Sequence, residues 1–109
     1  MDIRSVKLEV FVPQTHLDTM KQALWDAGVG HIGNYDHCLS YSPVMSCWRP
    51  LEGTHPYLGS EGQTSEEPEY KIEACCFIEQ VDDAIAAVKA AHPYEEPVIN
   101  VLPLLRTGL

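Results

Sequence analysis

The sequence predicts an α+β fold in which an antiparallel β-sheet carries two α-helices on one face. Apolar and polar residues alternate with a period of two near both ends of the chain, which is typical of strands. Two intervening segments change to the 3.6-residue period of a helix. Their order matches the ferredoxin-like βαββαβ arrangement. A chain of 109 residues suffices for one core, so we expect a single domain over residues 1–109.

The first strand and the first helix follow directly from these periods. In "IRSVKLEVFV", valines and leucine at positions 6, 8, 10 and 12 share one face, and Pro13 ends the strand. In "THLDTMKQALWDAG", Thr15 is the expected N-cap and Gly28 the expected stop. The apolar stripe of this helix consists of Leu17, Met20, Leu24 and Ala27.

The middle of the chain predicts a hairpin followed by a long irregular segment. We expect "HIGNYDHCLSY" to be a strand and "MSCWRPL" its partner across a tight turn at Ser42 and Pro43. That turn would set Cys38 opposite Cys47. Residues 52–68 are rich in Gly, Pro, Ser, Thr and Glu and predict an irregular excursion.

The second half repeats the pattern of strand, helix and strand. "YKIEACCFI" is a strong strand, "VDDAIAAVKAAH" is the clearest helix and "VINVLPLL" is the last strand. The stripe of the second helix consists of Val81, Ala84, Ile85, Val88 and Ala91. Right-handed crossovers place the exits of the first strand and the second helix at one end of the sheet. There "HPYEEP" (residues 92–97), the corner at 13–16 and the 52–68 excursion should meet.

Three motifs carry a resemblance to a known family. "GHIGNYDHC", "WRPLEGTHPYLG" and "HPYEEP" resemble the domain inserted into YqfO-type members of the NGG-interacting-factor-three (Nif-three-like) family. The resemblance implies a fold similar to CutA and the PII proteins. It departs at "PVMSCW", where the family usually has a glycine-containing turn and a phenylalanine. The family's larger metal-binding domain has no counterpart in these residues, so we expect the insert domain alone, without hydrolase activity.

The "HPYEEP" stretch has two interpretations. It can be a helix stop, with His92 favoured at a helix C-terminus and Pro93 unable to continue the helix. It can also be a stiff acidic loop, held by two prolines, that presents Tyr94, Glu95 and Glu96 to a protein or small-molecule partner. The candidate binding residues are therefore His92, Tyr94, Glu95 and Glu96, with Tyr35 and Cys38 of the "G-x-Y-x-x-C" element.

A metal site and a catalytic site are the alternatives to plain binding. The predicted geometry brings His16, His55 and His92 to one end, near carboxylates suited to a divalent ion. No close motif such as H-x-x-x-H supports this, and we expect no other cofactor. Neighbouring residues on a strand point to opposite faces, so His37 cannot activate Cys38 as a nucleophile. We therefore expect no enzymatic activity.

Charge and composition restrict the partners. With 7 basic and 16 acidic residues, the formal net charge of −9 repels nucleic acid and anionic membranes. No apolar run approaches the ~20 residues of a membrane span, and the N-terminus lacks the apolar region of a signal peptide. We expect a cytoplasmic protein whose four cysteines are reduced thiols.

The sheet face without helices predicts self-association. We expect this outer face to display the apolar side chains of Phe11, Cys75, Phe77, Ile99 and Val101. An uncovered apolar face usually marks an interface, unless the long excursion folds over it. CutA and PII proteins assemble through their sheets as trimers, so the resemblance favours a trimer over a dimer. The sequence thus predicts a non-catalytic, homo-oligomeric binding or regulatory module, with a divalent-metal-binding CutA-like protein as the alternative.

Overall fold

The computed structural model describes residues 2–108, and these form the predicted βαββαβ fold. Four antiparallel strands make one sheet in the order β2-β3-β1-β4. The strands are β1 (Ser5–Pro13), β2 (Ser40–Trp48), β3 (Ser65–Phe77) and β4 (Ile99–Leu104). The helices are α1 (Leu17–Asp26) and α2 (Val81–Ala91), preceded by short 3₁₀ turns at Gln14–His16 and Ile78–Gln80. Among residues 2–108, no helix is long and apolar enough to cross a membrane.

The core lies between the two helices and one face of the sheet. The alternation in β1 buries every second side chain, and the predicted helical stripes supply the other side of the core. The fully buried large side chains are Val6, Leu8, Val10, Val12, Met20, Leu24, Ile72 and Val88. Such burial removes apolar surface from water and is the main stabilising term of a domain of this size.

The predicted hairpin across Ser42 and Pro43 is wrong. Strand β2 runs without a turn through both residues, and it pairs with β3 along its whole length. The strand lies at the edge of the sheet, the position at which strands tolerate a proline. Cys38 precedes this strand and Cys47 lies near its end, so no turn sets them opposite each other. Because β3 begins at Ser65, the irregular segment covers residues 49–64 rather than 52–68.

The predicted outer face is wrong at two positions. Ile99 lies opposite Val10 and Val101 opposite Leu8, so both point to the helix-covered face and pack against the core. Leu102 and Leu104 take the outer positions instead, beside Lys7 and Ser5 of β1. The sequence of β4 is apolar at both parities, which is why alternation could not fix its register.

The ends of α1 differ in part from expectation. The helix begins at Leu17, and Thr15 makes no capping bond to it; its hydroxyl lies 2.8 Å from His16 Nδ1. The expected stop at Gly28 is confirmed, with a φ of 86° that suits glycine.

Candidate binding cleft at the loop end

One end of the sheet collects the corner 13–16, the irregular segment 49–64 and the "HPYEEP" stretch, as predicted; we call it the loop end. His92 bonds to the carbonyl oxygen of Phe11 at the exit of β1. Glu95 accepts a hydrogen bond from the backbone N–H of His55, which ties "HPYEEP" to the irregular segment. The ring of His16 meets that of Tyr57 edge-on, with 5.6 Å between centroids. The opposite end of the sheet carries residues 28–39 and the turn at Ile78–Gln80, which are joined by a bond from Gln80 to Gly28.

His92 is buried just after the last turn of α2, and both nitrogens of its ring are engaged by backbone. The N–H of Tyr94 donates to Nδ1 at 3.1 Å, so Nδ1 is the acceptor and Nε2 carries the proton. Nε2 then donates to the carbonyl oxygen of Phe11 at 2.6 Å. Burial lowers the pKa of His92, which favours this neutral tautomer. The side chain of His92 therefore links the segment after α2 to β1.

The phenol of Tyr94 donates a 2.7 Å hydrogen bond to the carboxylate of Glu69. Glu69 lies opposite Pro13 in β1 and Val44 in β2, and only 3% of its surface is exposed. Burial and the Glu69 carboxylate raise the pKa of Tyr94 well above the ordinary value for a phenol. The phenol thus stays protonated and the buried carboxylate keeps its donor.

Two further aromatic rings stand around Tyr94. The centroid of Trp48 lies 5.5 Å from it and that of Tyr57 lies 6.0 Å from it, both tilted. The indole N–H of Trp48 donates to the carbonyl oxygen of Leu58 at 3.3 Å, so the irregular segment holds the ring in place. Separations of this size are typical of packed aromatic pairs. The result is an aromatic cluster made of Trp48, Tyr57 and Tyr94.

A cleft of about 500 Å³ opens beside this cluster. Its walls are mainly apolar and come from β1, the end of β2, the irregular segment and the residues after α2. The apolar and aromatic lining includes Phe11, Trp48, Pro50, Leu51, Tyr57 and Val98. The charged lining consists of Arg49, Glu69, Glu95 and Glu96. An apolar pocket with a few convergent polar groups has the character of a small-molecule site.

The sequence analysis predicted only some of the residues that line the cleft. Tyr94, Glu95 and Glu96 were expected there and line the cleft. His92 lies behind them, against the ring of Tyr94, with 4.9 Å between the centroids. Glu69 was missed because "SEEPEY" resembles a solvated acidic stretch, and its burial depends on pairing with both β1 and β2.

The other two candidate binding residues lie elsewhere. Tyr35 and Cys38 belong to the loop at the opposite end, where Tyr35 is 74% exposed. Cys38 donates its backbone N–H to the carbonyl oxygen of Gly30, which closes the loop. Gly30 donates in turn to the carbonyl oxygen of Cys75. The "G-x-Y-x-x-C" element therefore builds a tight connection between α1 and β2, and the structure does not bring it to the "HPYEEP" stretch.

The three histidines proposed as metal ligands are not assembled into one ligand set. His16 and His55 lie at the loop end, but both ring nitrogens of His92 face backbone groups. Within residues 2–108, no group of three or more His, Cys, Asp or Glu side chains is arranged to hold a metal ion. Metal binding stays a prediction, which elemental analysis of the purified protein tests.

Comparison with known proteins adds a sequence relationship to this geometry. No family model matches the chain. It is 43% identical over 102 residues to the GTP cyclohydrolase 1 type 2 homolog of Halalkalibacterium halodurans and 35% identical over 102 residues to that of Bacillus subtilis. These matches cover 94% and 93% of the chain, but only 27% of each relative.

A solved structure shows the same relationship. The chain superimposes on a Bacillus cereus protein related to NIF3 with a TM-score of 0.82 and 39% identity, covering 94% of this chain and 26% of that one. The chain is homologous to one segment of the NIF3-family proteins. The resemblance expected from the three motifs is thereby confirmed. The NIF3-related segment spans about a quarter of the curated relatives it matches.

The fold of this NIF3-related segment also occurs in smaller proteins. CutA from Archaeoglobus fulgidus aligns with a TM-score of 0.70 and 17% identity, over 94% of this chain and 86% of that one. GlnK from Bacillus subtilis aligns with a TM-score of 0.64 and 22% identity, over 95% of this chain and 88% of that one. These likenesses confirm the predicted CutA- and PII-like fold.

Proposed function

We propose that this chain is a small, non-catalytic binding module that takes its ligand in the loop-end cleft. The observation that carries the proposal is the cleft itself, with apolar walls, an aromatic cluster and a buried carboxylate. A volume of about 500 Å³ falls within the usual range for small-molecule sites. The homology to one segment of the NIF3-family proteins supports a binding or regulatory role. The activity named for the whole relatives is not carried over, because the chain covers 27% of them.

The chemistry of the loop end supports binding without catalysis. A general base needs a free lone pair within reach of a substrate proton. The lone pair of His92 is occupied by the N–H of Tyr94. The phenol of Tyr94 has a raised pKa and donates to Glu69, so it is a poor source of a nucleophilic phenolate. His92 and Tyr94 therefore hold the segments of the loop end in position.

Self-association through the outer face is the second part of the proposal. Phe77 and Leu104 flank Ser5 in one cross-strand row, and Cys75 and Leu102 flank Lys7 in the next. Phe77 is 57% exposed and Leu102 is 37% exposed, and neighbouring exposed apolar side chains of this kind usually mark an interface. The corrected register of β4 keeps apolar side chains on this face, because two leucines replace Ile99 and Val101 beside the ion pairs of Lys7 with Glu9 and Glu73. A homo-oligomer, with a trimer favoured over a dimer, would cover this patch.

We also infer the class of ligand and the cellular compartment of the protein. The net charge of −9 disfavours nucleic acid and anionic membranes as partners, so we infer a small molecule or a protein segment as the ligand. The four cysteines are unpaired, in keeping with the reducing cytoplasm in which we place the protein.

Ligand-detected NMR tests the cleft as a binding site. Purified protein is mixed with an aqueous metabolite extract, and saturation transfer reports which compounds bind. Tyr57→Ala removes an exposed wall of the cleft, while Tyr35→Ala removes an exposed ring at the opposite end. We expect signals that Tyr57→Ala weakens and Tyr35→Ala leaves unchanged. Signals that respond only to Tyr35→Ala would contradict the proposal.

A further inference from the structure

The cleft contains a buried carboxylate with no cationic partner. Glu69 is 3% exposed, and within residues 2–108 no Lys, Arg or His nitrogen lies within 4.0 Å of it. Its hydrogen-bond donor, the Tyr94 phenol, is neutral. Buried charges are costly unless a charge or several donors compensate them. A cationic group entering the cleft would supply that compensation.

The aromatic cluster is suited to the same kind of group. Trp48, Tyr57 and Tyr94 have centroids 5.5–6.0 Å apart across the two pairs, and all three line the cleft. The face of an aromatic ring carries a negative quadrupole and attracts a cation within about 6 Å of its centroid. Tyr94 keeps its proton, so it offers a neutral ring rather than a phenolate. Rings beside a buried carboxylate favour an ammonium group over a neutral or anionic one.

The charge balance of the lining points the same way. The lining contains three carboxylates, those of Glu69, Glu95 and Glu96, and one guanidinium, that of Arg49. Glu95 is partly engaged by the N–H of His55. Arg49 is exposed and makes no ion pair within residues 2–108, so it does not neutralise Glu69. The lining keeps an excess of negative charge.

We propose that the loop-end cleft binds a small organic cation, an alkylammonium group that pairs with Glu69 and packs against the rings of Trp48 and Tyr94. The proposal rests on the assignment of the cleft as the ligand site and adds the chemical class of the ligand. The apolar remainder of the cleft would take an alkyl portion of the same molecule. Arg49 would disfavour the cation by repulsion, so its removal should tighten binding.

Trp48 provides the reporter for the test. The chain has two tryptophans, and Trp25→Phe at the opposite end leaves Trp48 as the single one. In this background the fluorescence of Trp48 is titrated with n-butylammonium, tetramethylammonium, n-butanol and butyrate. We expect saturation with both cations and at least ~10-fold weaker binding of n-butanol and butyrate. Glu69→Gln should weaken cation binding at least ~10-fold, whereas Glu66→Gln, an exposed position on the same strand, should change it less than ~2-fold.

The outcomes separate this inference from the function on which it rests. Equal or tighter binding of n-butanol or butyrate would overturn the cationic class while leaving the cleft as a ligand site. Unchanged cation binding in Glu69→Gln, with a melting temperature equal to that of the parent, would overturn the role of the buried carboxylate. A response of Trp48 to none of the four probes at 50 mM would overturn the ammonium proposal, and the metabolite screen would then decide the cleft alone. Tighter cation binding in Arg49→Gln would support the inference that Arg49 repels the bound cation.

Discussion

The Tyr94 phenol lies 2.7 Å from the Glu69 carboxylate, and this bond joins the segment after α2 to a buried side chain of β3. It crosses from one element to another at the loop end, 25 residues apart in the chain. The bond satisfies a carboxylate that the sheet has removed from water. It also holds the ring around which the aromatic cluster and the cleft are built.

Tyr94→Phe should destabilise the protein by about 1–3 kcal/mol, because it leaves the buried Glu69 carboxylate without its donor. Urea unfolding monitored by circular dichroism measures this cost. Tyr35→Phe is the matched control, since that side chain is 74% exposed and should change stability by less than about 0.5 kcal/mol. Equal stability of the two variants would mean that the bond contributes nothing to the fold.

Stability should fall as the pH drops, partly through His92. Its folded pKa is lowered by burial, below the unfolded value of about 6.5. Between these two values the unfolded state binds more protons, so the stabilisation is present above about pH 6.5 and is lost as the pH falls through the lowered pKa. Urea titrations between pH 7.5 and 5 should show this slope.

The contribution of His92 can be separated from that of the other four histidines. His92→Gln removes the titrating ring and should flatten the slope between pH 7.5 and 5. His31→Gln removes one exposed histidine and serves as the control for histidine number. If both variants retain the wild-type slope, the buried ring of His92 is not its source.

Gly30→Ala should prevent normal folding of the loop at the opposite end. Gly30 has a φ of 86°, and a Cβ there would overlap the carbonyl oxygen of Cys38. Gly33→Ala is a matched control with a φ of 58° but no atom within 4 Å of its added Cβ. Backbone strain alone should cost Gly33→Ala roughly 1–2 kcal/mol. Thermal unfolding should show a clearly larger loss for Gly30→Ala, and equal losses would contradict the close approach.

The outer-face patch should mediate self-association. Light scattering at tens of micromolar should give the mass of a trimer for the wild type. Phe77→Glu places a charge in the patch and should shift the population toward monomer. Ala86→Glu, at an exposed position on α2 and away from the outer face, is the control for added charge. A monomeric wild type would contradict the proposed assembly.

The regular elements of this fold were predictable because their signals are local. The alternation in β1 and the stripes of the two helices coincide with the buried residues, including Val10, Met20 and Val88. Strand β2 was predicted as two strands of a hairpin because Ser42 and Pro43 have turn chemistry, whereas an edge strand tolerates a proline. Its identity as an edge strand depends on the whole sheet, which a local pattern does not contain.

The location of the candidate site was predictable from the sequence, but several of the residues that form it were not. Crossover handedness brought residues 92–97 to the irregular segment, and the contacts from Glu95 to His55 and from His92 to Phe11 bear this out. The buried state of Glu69 depends on pairing with both neighbouring strands. Likewise, the position of Trp48 depends on a bond to Leu58 in a segment without regular periodicity. Long-range contacts of this kind leave no signal in the local sequence.

Backbone amide mapping tests whether the loop-end cleft is the ligand site. In ¹H–¹⁵N spectra of uniformly labelled protein, n-butylammonium is added up to saturation. If the cleft is the ligand site, we expect shifts at the indole of Trp48 and at the amides of Glu69 and Tyr94, with none at Tyr35 and Cys38. Shifts at Tyr35 and Cys38, with none at Trp48, Glu69 and Tyr94, would contradict it.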